Sequence, residues 1–203
     1  MNKNEFNEIE EFNEKYQQRS VELRDAVIEE NSGKMILEGY ASIFNSPTVL
    51  CKCGDIEYKE VIDANAFDGA DMSDCCLKYN HGGAVHARVR GGSLKLEVDE
   101  IGLKFRAELI DTTDSVDLYK RVKNNLIDKC SFAFSVKEHA FNEETFTRTI
   151  QKIDKLYDVA VVDMPAYKDT TVSARSFFEM EISKKKQSDD LKLRNRLIVE
   201  SYL

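Results

Sequence analysis

The spacing of apolar residues changes several times along the chain. Phe6, Ile9, Phe12 and Tyr16 recur at intervals of three, three and four between glutamates, which predicts an amphipathic helix over 4–18. Its apolar stripe has two partners open to it, the body of the domain or another subunit. From residue 20 to 137 the pattern turns to short strand-like runs over 21–28, 34–44, 76–79, 93–98 and 103–109, with turn residues at Asn31-Ser32-Gly33 and Gly91-Gly92. Two interruptions read as helical. Asp63 caps a short turn through Asn65, Ala66 and Phe67, and Asp114 with Asp117 starts a helix ending near Asn125, with Leu118 and Val122 on one face. Residues 46–55, with Pro47 and Gly54, read as a surface loop. Further strands are expected over 145–153, 156–162 and 171–174, then the basic run Lys184-Lys185-Lys186 and a last helix over 189–201. Many short strands with few helices suggest an α+β domain, a barrel or sandwich with helices outside it.

The run Lys129-Cys130-Ser131-Phe132-Ala133-Phe134-Ser135-Val136 alternates bulky and small side chains. In a strand this buries Cys130, Phe132, Phe134 and Val136 on one face and leaves Ser131, Ala133 and Ser135 on an uncluttered one that a peptide can approach. Ser131 is therefore the candidate nucleophile. Cys130, a more reactive group in principle, falls on the opposite face and reads as a buried, inert thiol.

Composition narrows the classes to which such a serine can belong. The 203 residues fit one compact domain with modest extensions, and 37 acidic against 29 basic residues give a net charge of −8, which argues against a nucleic-acid groove. No apolar segment reaches signal-peptide or membrane-spanning length, so a soluble cytoplasmic protein is expected, with no membrane partner. Cys51, Cys53, Cys75, Cys76 and Cys130 are read as reduced thiols. Their spacing departs from that of tetrahedral zinc sites, and no metal or cofactor is expected.

A serine hydroxyl needs a base, most often histidine. His81 stands at a strand end before Gly82 and Gly83, while His86 and His139 read as ordinary surface histidines. Asp158 lies alone among apolar residues in Leu156-Tyr157-Asp158-Val159-Ala160-Val161-Val162. Buried there it requires a partner, which makes it the candidate for orienting the base; a solvent-facing carboxylate or a lysine partner is the alternative. Asp154 and Asp163, at the edges of that run, are weaker candidates.

Several motifs resemble those of the prohead, or capsid maturation, serine proteases of tailed bacteriophages, a family related in fold to the herpesvirus assembly proteases. Glu38-Gly39-Tyr40-Ala41-Ser42-Ile43-Phe44-Asn45 looks like the opening strand, and Val61-Ile62-Asp63-Ala64-Asn65-Ala66-Phe67-Asp68 like the "pGAF" segment. Asn80-His81 is similar to the histidine motif, Cys130-Ser131-Phe132-Ala133-Phe134 to the "SxGF" strand, and Tyr157-Asp158-Val159 through Pro165-Ala166-Tyr167 to "EVS...PA". The resemblance, which covers roughly 19–175, implies a mainly antiparallel, herpesvirus-protease-like β-barrel with peripheral helices in a domain over 19–183; the residue pattern adds an N-terminal helical extension at 1–18 and a basic linker with a terminal helix at 184–203. It implies Ser131 as nucleophile, His81 as base and Asp158 as third member. The implied substrate is the scaffold region of the phage major capsid protein, cut inside the immature prohead in the host cytoplasm, followed by self-cleavage, for which 184–187 is the candidate site. Self-association through the terminal helices is also open. Two positions depart from the pattern: Ala133 replaces a glycine, and Asp158 a longer glutamate. A noncatalytic scaffold or capsid-binding module that keeps the fold is the competing reading.

Overall fold

The computed structural model describes residues 16–22, 33–53, 56–163 and 191. The expected strand at 171–174, the linker at 184–187 and most of both terminal helices lie outside these. Among the described residues the order is β1 (Tyr16–Glu22), β2 (Met35–Ile43), β3 (Thr48–Cys53), β4 (Ile56–Ile62), β5 (Cys76–Tyr79), β6 (Gly82–Arg88), β7 (Leu94–Val98), β8 (Gly102–Leu109), α1 (Thr113–Lys123), β9 (Lys129–Asn142) and β10 (Thr147–Val162).

The strands pair as two sheets. One runs β1-β9-β10-β4-β3, with β5 also paired to β10 and β6 paired to β5; the other runs β2-β8-β7. All pairings are antiparallel except those of β10 with β4 and with β5. The molecule is thus mostly β, with one helix among the described residues. Strand pairing does not close these residues into a single ring. Instead β2 packs near β1 and β9, and β8 near β6, around a core that includes Leu37, Leu77, Leu103, Phe105, Phe132, Phe134, Ile150 and Leu156.

Several local expectations hold. β5 has the expected bounds, and Leu118 and Val122 of α1 are both buried. Asn125, just past the helix, adopts φ 55°, the left-handed conformation that asparagine tolerates at a helix end, and its N–H donates to the Val122 carbonyl. The Asp63 side chain accepts a bond from the Asn65 N–H, closing the expected turn.

Other expectations are corrected. Gln17 and Gln18, given to the N-terminal helix, lie in β1 opposite Phe134 and Ala133. The supposed loop at 46–55 contains β3, and β4 follows it. β4 escaped notice because its inward positions are Tyr58, Glu60 and Ile62, and a glutamate breaks the apolar alternation. Glu60 is buried because it is shared by two guanidiniums, those of Arg19 and Arg148, with Gln17 completing the cluster. The runs 145–153 and 156–162 are one strand, β10. Glycine at 102 is required by close approach: a β-carbon there would lie 1.9 Å from the Ser42 carbonyl oxygen of β2.

Candidate active site

β9 carries Ser131 in the middle of the large sheet, with Ser20 of β1 opposite it on one side and Ala160 of β10 on the other. Residues facing each other across antiparallel strands share a face, so Ser131, Ala133 and Ala160 lie together. This face is not open. Ser131, Ala133 and Ala160 are fully buried and Ser135 nearly so, because small side chains let other groups lie directly over them. Ala133 does not adopt positive φ, so the methyl group sits on ordinary extended backbone where the resembling family has glycine.

Asp158 reaches the same face through irregularities in β10. Its inward residues Ile150, Ile153, Leu156 and Val159 recur at every third position, whereas a regular strand repeats every second. The register explains the discrepancy: it runs Ile150↔His139, Lys152↔Glu138, Ile153↔Val136, Lys155↔Ser135, Leu156↔Phe134 and Asp158↔Ala133, skipping Gln151, Asp154 and Tyr157. Each skip is a β-bulge that reverses which face the next residues point to. Without the bulge at Tyr157, Asp158 would lie opposite Phe132 and point into the apolar core. With it, Asp158 lies opposite Ala133, diagonally across from Ser131.

His81 comes from a two-residue turn. Tyr79 pairs with Gly82, and the turn residues Asn80 and His81 have φ 48° and 56°, as in the type I′ turns whose twist suits a hairpin. Glycine is the usual second residue of such a turn, so histidine here holds a conformation its β-carbon disfavours. The turn is fixed to β10: the Asn80 N–H donates to the Val161 carbonyl, and the Asn80 side-chain oxygen accepts from the Asp163 N–H. The Tyr79 hydroxyl, one residue before the turn, donates to the same Asp163.

These three positions meet. His81 Nε2 lies 2.6 Å from Ser131 Oγ, and His81 Nδ1 lies 2.6 Å from Asp158 Oδ1. An ionised carboxylate can only accept, so Nδ1 carries the proton in this pair and Nε2 presents its lone pair to the serine hydroxyl. Asp158 is buried, and the second carboxylate oxygen lies 4.0 Å from Lys78 Nζ. The lysine partner and the base partner, read from sequence as alternatives, are therefore both present. The shorter aspartate reaches His81 because the bulge delivers it to the correct face.

The remaining candidates separate clearly. Cys130 is fully buried, and burial pushes its thiol up to about 12, in keeping with an inert role. Burial also raises Cys75 and Cys76, both free thiols. Asp154 lies 3.5 Å from Ser135 Oγ rather than at the histidine. His139 is exposed as expected. His86 is not: it is buried in β6, with Nδ1 3.0 Å from Ser115 Oγ of α1. The strand was hidden because Gly82 and Gly83 look like loop residues, and only its last positions face inward. Beside the His81 turn, Asn80, Gly82, Gly83, His86, Asp117 and Leu118 line part of a cleft of about 450 Å³. Lys78 and the bulge at Tyr157 were missed from sequence, although the spacing of three among Ile150, Ile153, Leu156 and Val159 is a signal that finds the bulges.

Among the comparisons with known proteins, the family model for the caudovirus prohead serine protease matches residues 15–186. No curated protein and no solved structure matches the chain significantly. The family match spans most of the chain and all three residues that meet at His81, so the chain belongs to the caudovirus prohead serine protease family.

Proposed function

We propose that this chain is a serine endopeptidase whose nucleophile is Ser131, whose general base is His81 and whose orienting carboxylate is Asp158. The observation that carries the reading is the continuous chain of contacts from Ser131 Oγ through both ring nitrogens of His81 to Asp158, at 2.6 Å each. As Oγ attacks a scissile carbonyl, His81 Nε2 takes its proton, and Asp158 stabilises the imidazolium that forms. His81 then gives this proton to the leaving amine, leaving an acyl-enzyme on Ser131. Water attacks the ester, again losing a proton to His81, and the proton returns to Oγ as the new carboxylic acid departs.

Family membership makes the chain a capsid-maturation protease in general. Within that class we assign as substrate the scaffold region of the major capsid protein, cut inside the immature prohead in the host cytoplasm, with later self-cleavage in 184–187. In this reading the protease domain runs over 16–183, since β1 belongs to its sheet, and the flanking segments, 1–15 and 184–203, serve self-association or docking. The two sheets correspond to the halves of a herpesvirus-protease-like barrel, a view supported by the packing of β2 on β1 and β9 and of β8 on β6.

Co-expression with the cognate capsid protein tests the activity. The parent is expected to shorten the capsid protein, and Ser131→Ala and His81→Ala to leave it full length by intact-mass spectrometry. Identical full-length capsid protein from all three would sink the enzymatic reading. Truncation of the parent near Lys186, absent in Ser131→Ala, is the expected mark of self-cleavage.

A further inference from the structure

Lys78 occupies a place that the three-residue account leaves idle. The register runs Lys78↔Ala160 between β5 and β10 and Ala160↔Ser131 between β10 and β9, a straight row across three strands with all three residues on one face. The Lys78 side chain, 28% exposed, brings Nζ to 4.0 Å from Asp158 Oδ2, while Oδ1 of the same carboxylate meets His81. The carboxylate is thus held between an imidazole on one oxygen and an ammonium on the other. We propose that Lys78 is a positioning residue of this site: it orients Asp158, keeps the buried carboxylate ionised, and sets how readily the His81–Asp158 pair accepts the Ser131 proton. The inference rests on the proposed triad.

The physical argument concerns one fixed charge. A buried carboxylate is costly unless a cation or donors compensate it. Lys78 supplies the cation from a side chain that is itself partly exposed. The same positive charge opposes the imidazolium formed when His81 takes the serine proton, so the site works at lower pH than a bare His–Asp pair would. Among the described residues, Cys75 and Cys76 at the start of β5 and Cys130 on β9 also act on Asp158. All three thiols are raised by burial and stay neutral near pH 7. Lys78, by contrast, carries a charge next to Asp158, so its removal changes the local charge.

A fluorophosphonate probe reads this without a peptide substrate. Ser131 Oγ forms the bond to phosphorus, fluoride leaves, and His81 takes the hydroxyl proton, so the labelling rate follows the base. We expect Lys78→Met to move the acid-side midpoint of the rate–pH profile upward by roughly 0.5–1 pH unit, the size of one charge removed from a partly solvated site. Lys78→Gln should do the same, providing a second neutral variant should the methionine disturb folding, and Lys78→Arg should restore the parent profile. Folded state is checked by the thermal midpoint of each protein. A neutral variant that folds and superimposes on the parent profile overturns the role of Lys78. His81→Ala labelled as fast as the parent would instead overturn the triad itself, so the two failures are distinguishable.

Discussion

At His81, histidine takes the backbone angle of a turn position that glycine fills more comfortably, and Asn80 ties the turn to the end of β10. Such strain persists where the surroundings fix it, and here it points an imidazole at two buried partners. The carboxylate's contribution can be separated from that of the fold. Asp158→Asn keeps the volume but loses the charge and favours the wrong tautomer of His81, so fluorophosphonate labelling of Ser131 is expected to fall by about 10³–10⁴-fold with the thermal midpoint near that of the parent. Labelling within tenfold of the parent would remove Asp158 from the site. His86 gives a different prediction. Burial holds its imidazole below the ordinary value of 6.5, partly opposed by Asp114. The folded state thus favours neutral His86, and the unfolded chain binds the proton first as pH falls. The stability tied to this residue is complete above pH 6.5 and declines below it until the folded form also protonates. Urea midpoints at neutral and mildly acidic pH should therefore diverge less in His86→Gln than in the parent.

At the scale of elements, two strands carry the site and they were not equally legible. β9 announces itself because Cys130, Phe132 and Phe134 alternate strictly with Ser131, Ala133 and Ser135 and all six are buried. β10 hides its continuity because its bulges convert a period of two into a period of three, which reads as two broken runs. The bulge is a property of chain length between Leu156 and Asp158, not of the tyrosine ring. Tyr157→Ala is accordingly expected to retain labelling within a few-fold, and deletion of Tyr157, which leaves Leu156↔Phe134 and Asp158↔Ala133 as consecutive pairs of a regular strand, is expected to keep Asp158 on the Ser131 face and labelling detectable. Loss of labelling in Tyr157→Ala would show that the ring, and not the extra residue, places the carboxylate. The helix is simpler: Leu118→Ala empties a buried site under α1 and should cost about 2–4 kcal/mol in urea unfolding.

At the scale of the whole molecule, Arg19, Glu60 and Arg148 join β1, β4 and β10 through a buried cluster whose members are far apart in sequence. Arg19 also lies over the Phe134 ring, 5.7 Å from its centre, on the face of β9 opposite the site. Glu60→Gln leaves two buried guanidiniums facing an amide and is expected to lose about 3–5 kcal/mol of stability, read as a lowered urea midpoint. A change under 1 kcal/mol would show that the cluster contributes little net energy. By itself the sequence determined what short-range sterics and periodicity control: the faces of β9, the bounds of β5, the extent of α1 and the turn at Asp63. Motif order added the three residues at the site. Only the tertiary structure decided that β4 is a strand with an inward glutamate, that His86 is buried, that Lys78 stands behind Asp158, and that Asp158 faces Ser131 at all. Each of these depends on which residues distant in the chain become neighbours, and register across a sheet, unlike alternation within a strand, is fixed by pairing rather than by local pattern.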